Sequence, residues 1–201
     1  TDANSDGAGT SPSAQGTTAI TLLNANEIPQ VINANGTINY TENGVAATLG
    51  ANLSAIGNGV IPDLLAHAKV KITNGLTSGD LLTATTTGTG IATSYDPTTG
   101  MLTLTGSDAT SNYQAVLRSV LFSSGDDPTV NTANRTIIWQ IFDTIGVPSA
   151  VDAGATTTIR VTPVNDTPQV SNLPASGSVA WTEGGTGVHV AASMTVTDLD
   201  D

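Results

Sequence analysis

Apolar side chains recur at every second position through most of this chain, the pattern of strands that pack on one face and meet water on the other. Ala66, Ala68, Val70 and Ile72 alternate with His67, Lys69 and Lys71. Leu102 and Leu104 alternate with Thr103 and Thr105 after the turn-forming run Asp96-Pro97-Thr98-Thr99-Gly100. Ile137, Trp139 and Ile141 alternate with Ile138, Gln140 and Phe142, so both sides carry apolar atoms and a central strand covered on both faces is expected. Ile159 and Val161 flank Arg160 in what reads as a closing strand. One stretch departs from this period. From Ser111 to Leu121 the residues Val116, Leu117, Val120 and Leu121 form a single helical stripe, and Ser111 and Gln114 have capping-box spacing. Short strands at intervals of about eight to twelve residues around one short helix (about 111–121) predict an all-β sandwich.

The pattern repeats. Asn26-Glu27-Ile28-Pro29-Gln30-Val31 returns as Asn165-Asp166-Thr167-Pro168-Gln169-Val170, 139 residues on, each preceded by a Thr-rich strand. Tyr40-Thr41-Glu42-Asn43-Gly44 returns as Trp181-Thr182-Glu183-Gly184-Gly185, 141 residues on, so the intervening loop has gained two residues. Two matched blocks in the same order mark a tandem array. The expected organisation is the closing strand and linker of one repeat (1–27), a complete repeat (28–166) and the opening strands of another (167–201). Such a chain reads as part of something longer. Thr1, with no signal-peptide pattern, fits a mature product or an excised fragment.

Composition narrows the function. The chain holds 17 acidic residues against five lysines and arginines, a formal charge of −12, which leaves few cations to neutralise phosphate and repels an anionic membrane surface. No nucleic-acid partner and no membrane insertion are expected, the latter because no segment approaches the roughly 18 apolar residues of a spanning helix. The absence of cysteine removes disulfides, thiolate metal sites and cysteine nucleophiles. Fourteen of the acids are Asp and three are Glu, a bias toward the short carboxylate of turns and hard-cation sites. Thirty-four threonines and 21 glycines favour strands and tight turns over helices. An acidic, cysteine-free chain of this kind is expected outside a bacterial cell.

Catalytic chemistry finds little to work with, and no enzyme is expected. His67 alternates with lysines on a wet strand face, and His189 lies between Val188 and Val190. No serine sits in a nucleophile elbow, and no glycine-rich stretch ends in the Lys-Ser/Thr of a phosphate loop. Asp126-Asp127 before Pro128 reads as a turn rather than a glycosidase pair. Trp139 and Trp181 read as core or domain-edge packing rather than sugar platforms. Asn35, Asn39, Asn52, Asn134 and Asn165 head Asn-x-Ser/Thr triplets, of little weight in a chain so rich in both residues.

The run Ile137 to Asp143, then Gly146, Pro148-Ser149-Ala150, and Thr156-Thr157-Thr158-Ile159-Arg160-Val161-Thr162-Pro163-Val164-Asn165-Asp166-Thr167-Pro168, resembles the closing strands and linker of bacterial cadherin-like repeats. Tyr95-Asp96-Pro97 to Leu104-Thr105-Gly106, followed by Asn112 to Val120, is similar to the repeats found in tandem in giant secreted (RTX-type) adhesins. The resemblance covers residues 17–201. It implies Ig/cadherin-like Greek-key sandwiches that form an extended, calcium-stiffened stalk. Calcium takes six to eight oxygens, by preference from Asp, Glu, Asn and backbone carbonyls. The linker Asn165-Asp166 before Pro168 offers such oxygens, Glu183, Asp198 and Asp200 are expected to converge on it from the next repeat, and Asp143 or Asp152 from the preceding one. At the other junction, Asn26, Glu27 and Glu42 form a poorer set, because Gly57 and Gly59 stand where the later repeat has Asp198 and Asp200.

The leading expectation is therefore a structural extender repeat of a bacterial extracellular adhesin, with neighbouring repeats of the same polypeptide as partners. The first alternative is a subunit of a self-assembling extracellular filament or sheath, in which segments 17–23 and 178–197 pair with other copies by strand addition. The second is a glycan- or protein-binding module.

Overall fold

The computed structural model describes residues 26–125, 134–151, 153–173, 179–191 and 193–198. In chain order the strands are β1 (Gln30–Ile32), β2 (Gly36–Thr41), β3 (Ala47–Thr48), β4 (Ser54–Ile56), β5 (Leu64–Asn74), β6 (Leu81–Thr83), β7 (Ala92–Asp96) and β8 (Met101–Ala109). Helix α1 (Thr110–Arg118) follows, then β9 (Leu121–Ser123), β10 (Arg135–Asp143), β11 (Thr156–Thr162), β12 (Gln169–Ser171) and β13 (Thr195–Thr197). One sheet has the order β2-β11-β10-β5-β8-β7, a second β3-β9-β6, and two-stranded sheets join β1 to β4 and β12 to β13. In the larger sheet only β2 and β11 run parallel. This is the all-β sandwich with one short helix that the sequence predicts.

Alternation places the core. Ile137, Trp139 and Ile141 are fully buried, while Ile138, Gln140 and Phe142 are half-buried, so β10 is central as expected and its outer face is partly covered. Tyr40 of β2 meets Phe122 of β9 edge to face at 5.1 Å, which joins the two larger sheets. Trp139 donates from Nε1 to Thr157 Oγ1 at 2.9 Å, and Thr157 in turn donates to the Ala34 carbonyl. Arg135 is buried and ion-paired with Asp80 at 3.0 Å, with Thr77 accepting from its Nη2, so the charge enters the core only with its partners supplied.

Two local expectations are corrected. Ala66 does not join the buried stripe of Ala68, Val70 and Ile72. Phe142 pairs with His67 and Asp143 with Leu65, so Ala66 is an extra residue in the ladder, and Leu65 takes the inward place before it. The helix runs over 110–118 rather than 111–121. The Ser111/Gln114 capping box does not form: the N-cap residue is Ala109, without a side-chain cap, and Gln114 Oε1 accepts from the Ala55 amide at 3.0 Å. Val120 stays buried beyond the helix end, and Leu121 opens β9.

The repeat is visible in the strand pairing. Gln30, Val31 and Ile32 pair with Ile56, Ala55 and Ser54; Gln169, Val170 and Ser171 pair with Thr197, Val196 and Thr195, the same register carried forward at both offsets. Asn33 (φ 58°) and Asn172 (φ 54°) both turn through the left-handed region after the first strand. Gly44 donates to Thr41, and Gly185 to Thr182, each at 2.9 Å. Burial differs, however. Val31 and Tyr40 are each 3% exposed, whereas their counterparts Val170 and Trp181 are 49% and 56% exposed. Trp181, expected to pack, therefore occupies the place of a core residue with no covering strands among the described residues.

Candidate functional site at the linkers

The two linkers collect different acids from those the sequence order suggests. β2 and β11 are parallel and paired from Gly36 and Thr157 to Thr41 and Thr162, so both arrive at the same end of the sandwich. Glu42 follows β2 there, and Val164 follows β11. The Glu42 amide donates to the Thr162 carbonyl at 3.0 Å, and its Oε2 accepts from the Val164 amide at 3.1 Å. Glu42 is 5% exposed and faces the Asn165–Asp166 linker, not the Asn26–Glu27 linker with which it was grouped. Asn165 Nδ2 donates to the Asp166 carbonyl at 2.7 Å.

β10 is antiparallel to β11, so its last residue, Asp143, lies at the opposite end. There it meets the first linker rather than the second: Asn26 Nδ2 donates to Asp143 Oδ2 at 2.9 Å. Asn58 Nδ2 donates to Asn26 Oδ1 at 2.6 Å, and the Glu27 amide donates to the Asn58 carbonyl at 2.9 Å. Asp143 Oδ1 also accepts the amides of Ile145 (3.1 Å) and Val147 (2.7 Å) and so closes the loop after β10. Burial works to raise the Asp143 pKa, but the donors Asn26, Val147, Ile145 and Asn58 together outweigh it and hold the carboxyl below the usual carboxylate range.

Sequence reading missed two members of this neighbourhood. Asn58 carries no signal in a chain rich in Asn. Asp63 lies against Gly57, where a Cβ would stand 1.7 Å from its Oδ1, and that oxygen is buried without a hydrogen-bond partner among the described residues. An orphaned carboxylate oxygen is what a bound cation or an ordered water satisfies. The Gly-x-Gly run that marks lost aspartates is thus also a close approach that excludes any side chain at position 57.

A fit to calcium can be tested on these donors. At the first linker the Asp143 carboxylate is already met by the Asn26 side-chain amide and the Ile145 and Val147 backbone amides, donors that compete with a cation for its lone pairs. At the second, Glu42, Asn165 and Asp166 come to one end of the sandwich. Glu183 is exposed in the Thr182–Gly185 turn, and Asp198 is half-buried just after β13. Asp152 and Asp200 lie outside the described residues. Among the described residues no three His, Asp or Glu side chains gather into a metal-binding cluster. Of the histidines, His67 stacks on Phe142 at 3.9 Å, with its pKa lowered by burial and then by Lys69, and His189 is exposed.

No protein-family model matches the chain, and no curated protein does either. Among solved structures the chain is similar to human CDH23 EC21-23, with 19% identity and a TM-score of 0.35 over 87% of this chain and 48% of that one. The chain thus spans about half the length of that structure. The sandwich assignment rests on the sheet order and register given above, not on this likeness.

Proposed function

We propose that the chain is a length of tandem β-sandwich repeats serving as an extender in a bacterial extracellular adhesin, with neighbouring repeats of the same polypeptide as its partners and no catalytic role. One observation carries the reading: β1 and β4 recur as β12 and β13 pair for pair, with the same left-handed Asn and the same Thr-Glu turn. A second unit that begins in register with the first is what a repeated stalk requires. In a longer array the exposed Val170, Trp181 and Val190 become core residues, as Val31, Tyr40 and Leu49 are in the complete repeat.

Calcium enters this reading at the second junction alone. Glu42, Asn165 and Asp166 come from the sandwich and its linker. Asp198 and Asp200 take the places of Gly57 and Gly59, which flank the Asn58 that touches the first linker. Glu183, as the counterpart of Glu42, belongs to the far end of its own repeat and is no ligand here. The first junction has its own link between linker and sandwich in the Asn26–Asn58–Asp143 network. Calorimetry and small-angle scattering, each with and without calcium, test the reading. The expected outcome is calcium uptake with an increase in maximum dimension, both reduced by Asp198→Ala with Asp200→Ala while the 28–166 unit stays folded. Unchanged uptake in that variant sinks the ligand assignment.

The exposed apolar side chains of 167–198 favour one second reading, a filament subunit in which another copy supplies the covering strands. Sedimentation velocity separates the two: a monomer supports the extender, a polymer the filament.

A further inference from the structure

The strand that opens the sandwich changes sheets. β1 pairs with β4, and after residues 33–35 the chain enters the other sheet as β2 beside β11. The crossing leaves a cleft of about 230 Å³ between the start of β2 and the turn after β3. Asn33, Asn35, Asn52 and Thr37 line it, half-buried Ile38 and the edge of the core residue Leu49 lie at its floor, and no charged residue lines it. A charge-free recess in a chain of formal charge −12 is a selective feature. The three Asn side chains are exposed and make no side-chain hydrogen bond among the described residues.

The frame beneath them is fixed. The Ala34 amide donates to the Gly154 carbonyl at 2.9 Å, and its carbonyl accepts from Thr157, which Trp139 also holds from the core. Comparison of the two units separates backbone duty from surface chemistry. Asn33 recurs as the left-handed Asn172, so an Asn there serves the turn that ends the first strand. Asn35 and Asn52 correspond to Pro174 and Ser193, so the fold does not require their amides.

We propose that this cleft is a binding subsite for a neutral saccharide, sized for a single hexose ring. Each side-chain amide offers donors and an acceptor, which matches the paired donor and acceptor character of neighbouring sugar hydroxyls. Half-buried Ile38 offers an apolar contact to the C–H face of a pyranose, and the absence of charge gives no purchase to a uronate. A volume below the roughly 300–1,000 Å³ of drug-sized pockets takes one ring and not an oligosaccharide. The site is independent of calcium.

Amide-proton NMR titration of the chain with the methyl glycosides of glucose, galactose, mannose and N-acetylglucosamine, with glucuronate as the charged control, tests it. Saturable shifts confined to residues 33–38 and 48–52 are expected for at least one neutral glycoside at millimolar concentration, and none for glucuronate. Asn35→Ala with Asn52→Ala weakens binding about tenfold or more, the loss expected for two hydrogen bonds, with the thermal melt unchanged. Asn52→Ser, which installs the residue found at the corresponding sequence position 193, keeps a hydroxyl and weakens binding to a smaller degree. No saturable shift from any neutral glycoside, equal shifts from glucuronate, or full affinity in the double variant overturns the proposal.

Discussion

At the scale of single residues, the core and the linkers make opposite demands on polar atoms. Trp139 is fully buried, and its indole N–H is satisfied by Thr157, so Trp139→Ala removes a large apolar volume and one hydrogen bond to a buried hydroxyl that keeps its bond to the Ala34 carbonyl. A loss of about 3–5 kcal/mol is expected from urea unfolding, as for other large-to-small core changes. A near-neutral result moves Trp139 out of the core. Alternation alone marked its inward face, but its acceptor comes from a strand 18 residues away and was not legible. Asp143 is the pH-sensitive group at the first linker. Its folded pKa is depressed, so its contribution is full above the unfolded value of about 3.9 and is lost as pH falls through the lower folded value. Stability measured from pH 5 downward to about 2 is expected to fall with a steeper slope in the parent chain than in Asp143→Asn. Equal slopes remove Asp143 as the cause.

At the scale of elements, period-two and period-3.6 patterns located the strands and the helix, and one error falls where one element runs directly into the next. β8 enters α1 without a loop, so the helix starts at Thr110 and Gln114 falls in its second turn, too far along to close a capping box. The start is steadied instead by Asp108. It accepts from the Gly90 amide at 2.7 Å, from Asn112 Nδ2 at 2.8 Å and from the Ala109 amide at 2.7 Å, bonds that together keep its carboxyl below its ordinary value. Asp108→Ala is expected to lower the melting temperature clearly, while Ser111→Ala, exposed and without a capping bond, stays within about 0.5 kcal/mol of the parent. The reverse ranking restores the capping box. The extra residue at Ala66 is an error of another kind, inside a strand, because a bulge shifts the period by one and no residue type there announces it.

At the scale of the whole molecule, the repeated sequence blocks carry repeated local pairing: β1 with β4 and β12 with β13 share one register. Calcium-dependent elongation and a monomeric sedimentation profile are the outcomes expected of a stalk. The allocation of acids to junctions was not legible. Linear order grouped Glu42 with Asn26–Glu27 and Asp143 with Asn165–Asp166, and the structure exchanges them. Chain direction decides the matter: β2 runs parallel to β11 and delivers Glu42 to the outgoing linker, whereas β10 runs against β11 and delivers Asp143 to the incoming one. By itself the sequence determined most of the strands, most of their inward faces and the short helix, since each is a local or periodic property of residue type. Only the tertiary structure decided which polar groups meet, among them the Asn26–Asn58–Asp143 network, the unpartnered oxygen of Asp63 and the amide-lined cleft at the sheet crossing, because contacts between distant segments depend on strand direction and register that no local pattern encodes.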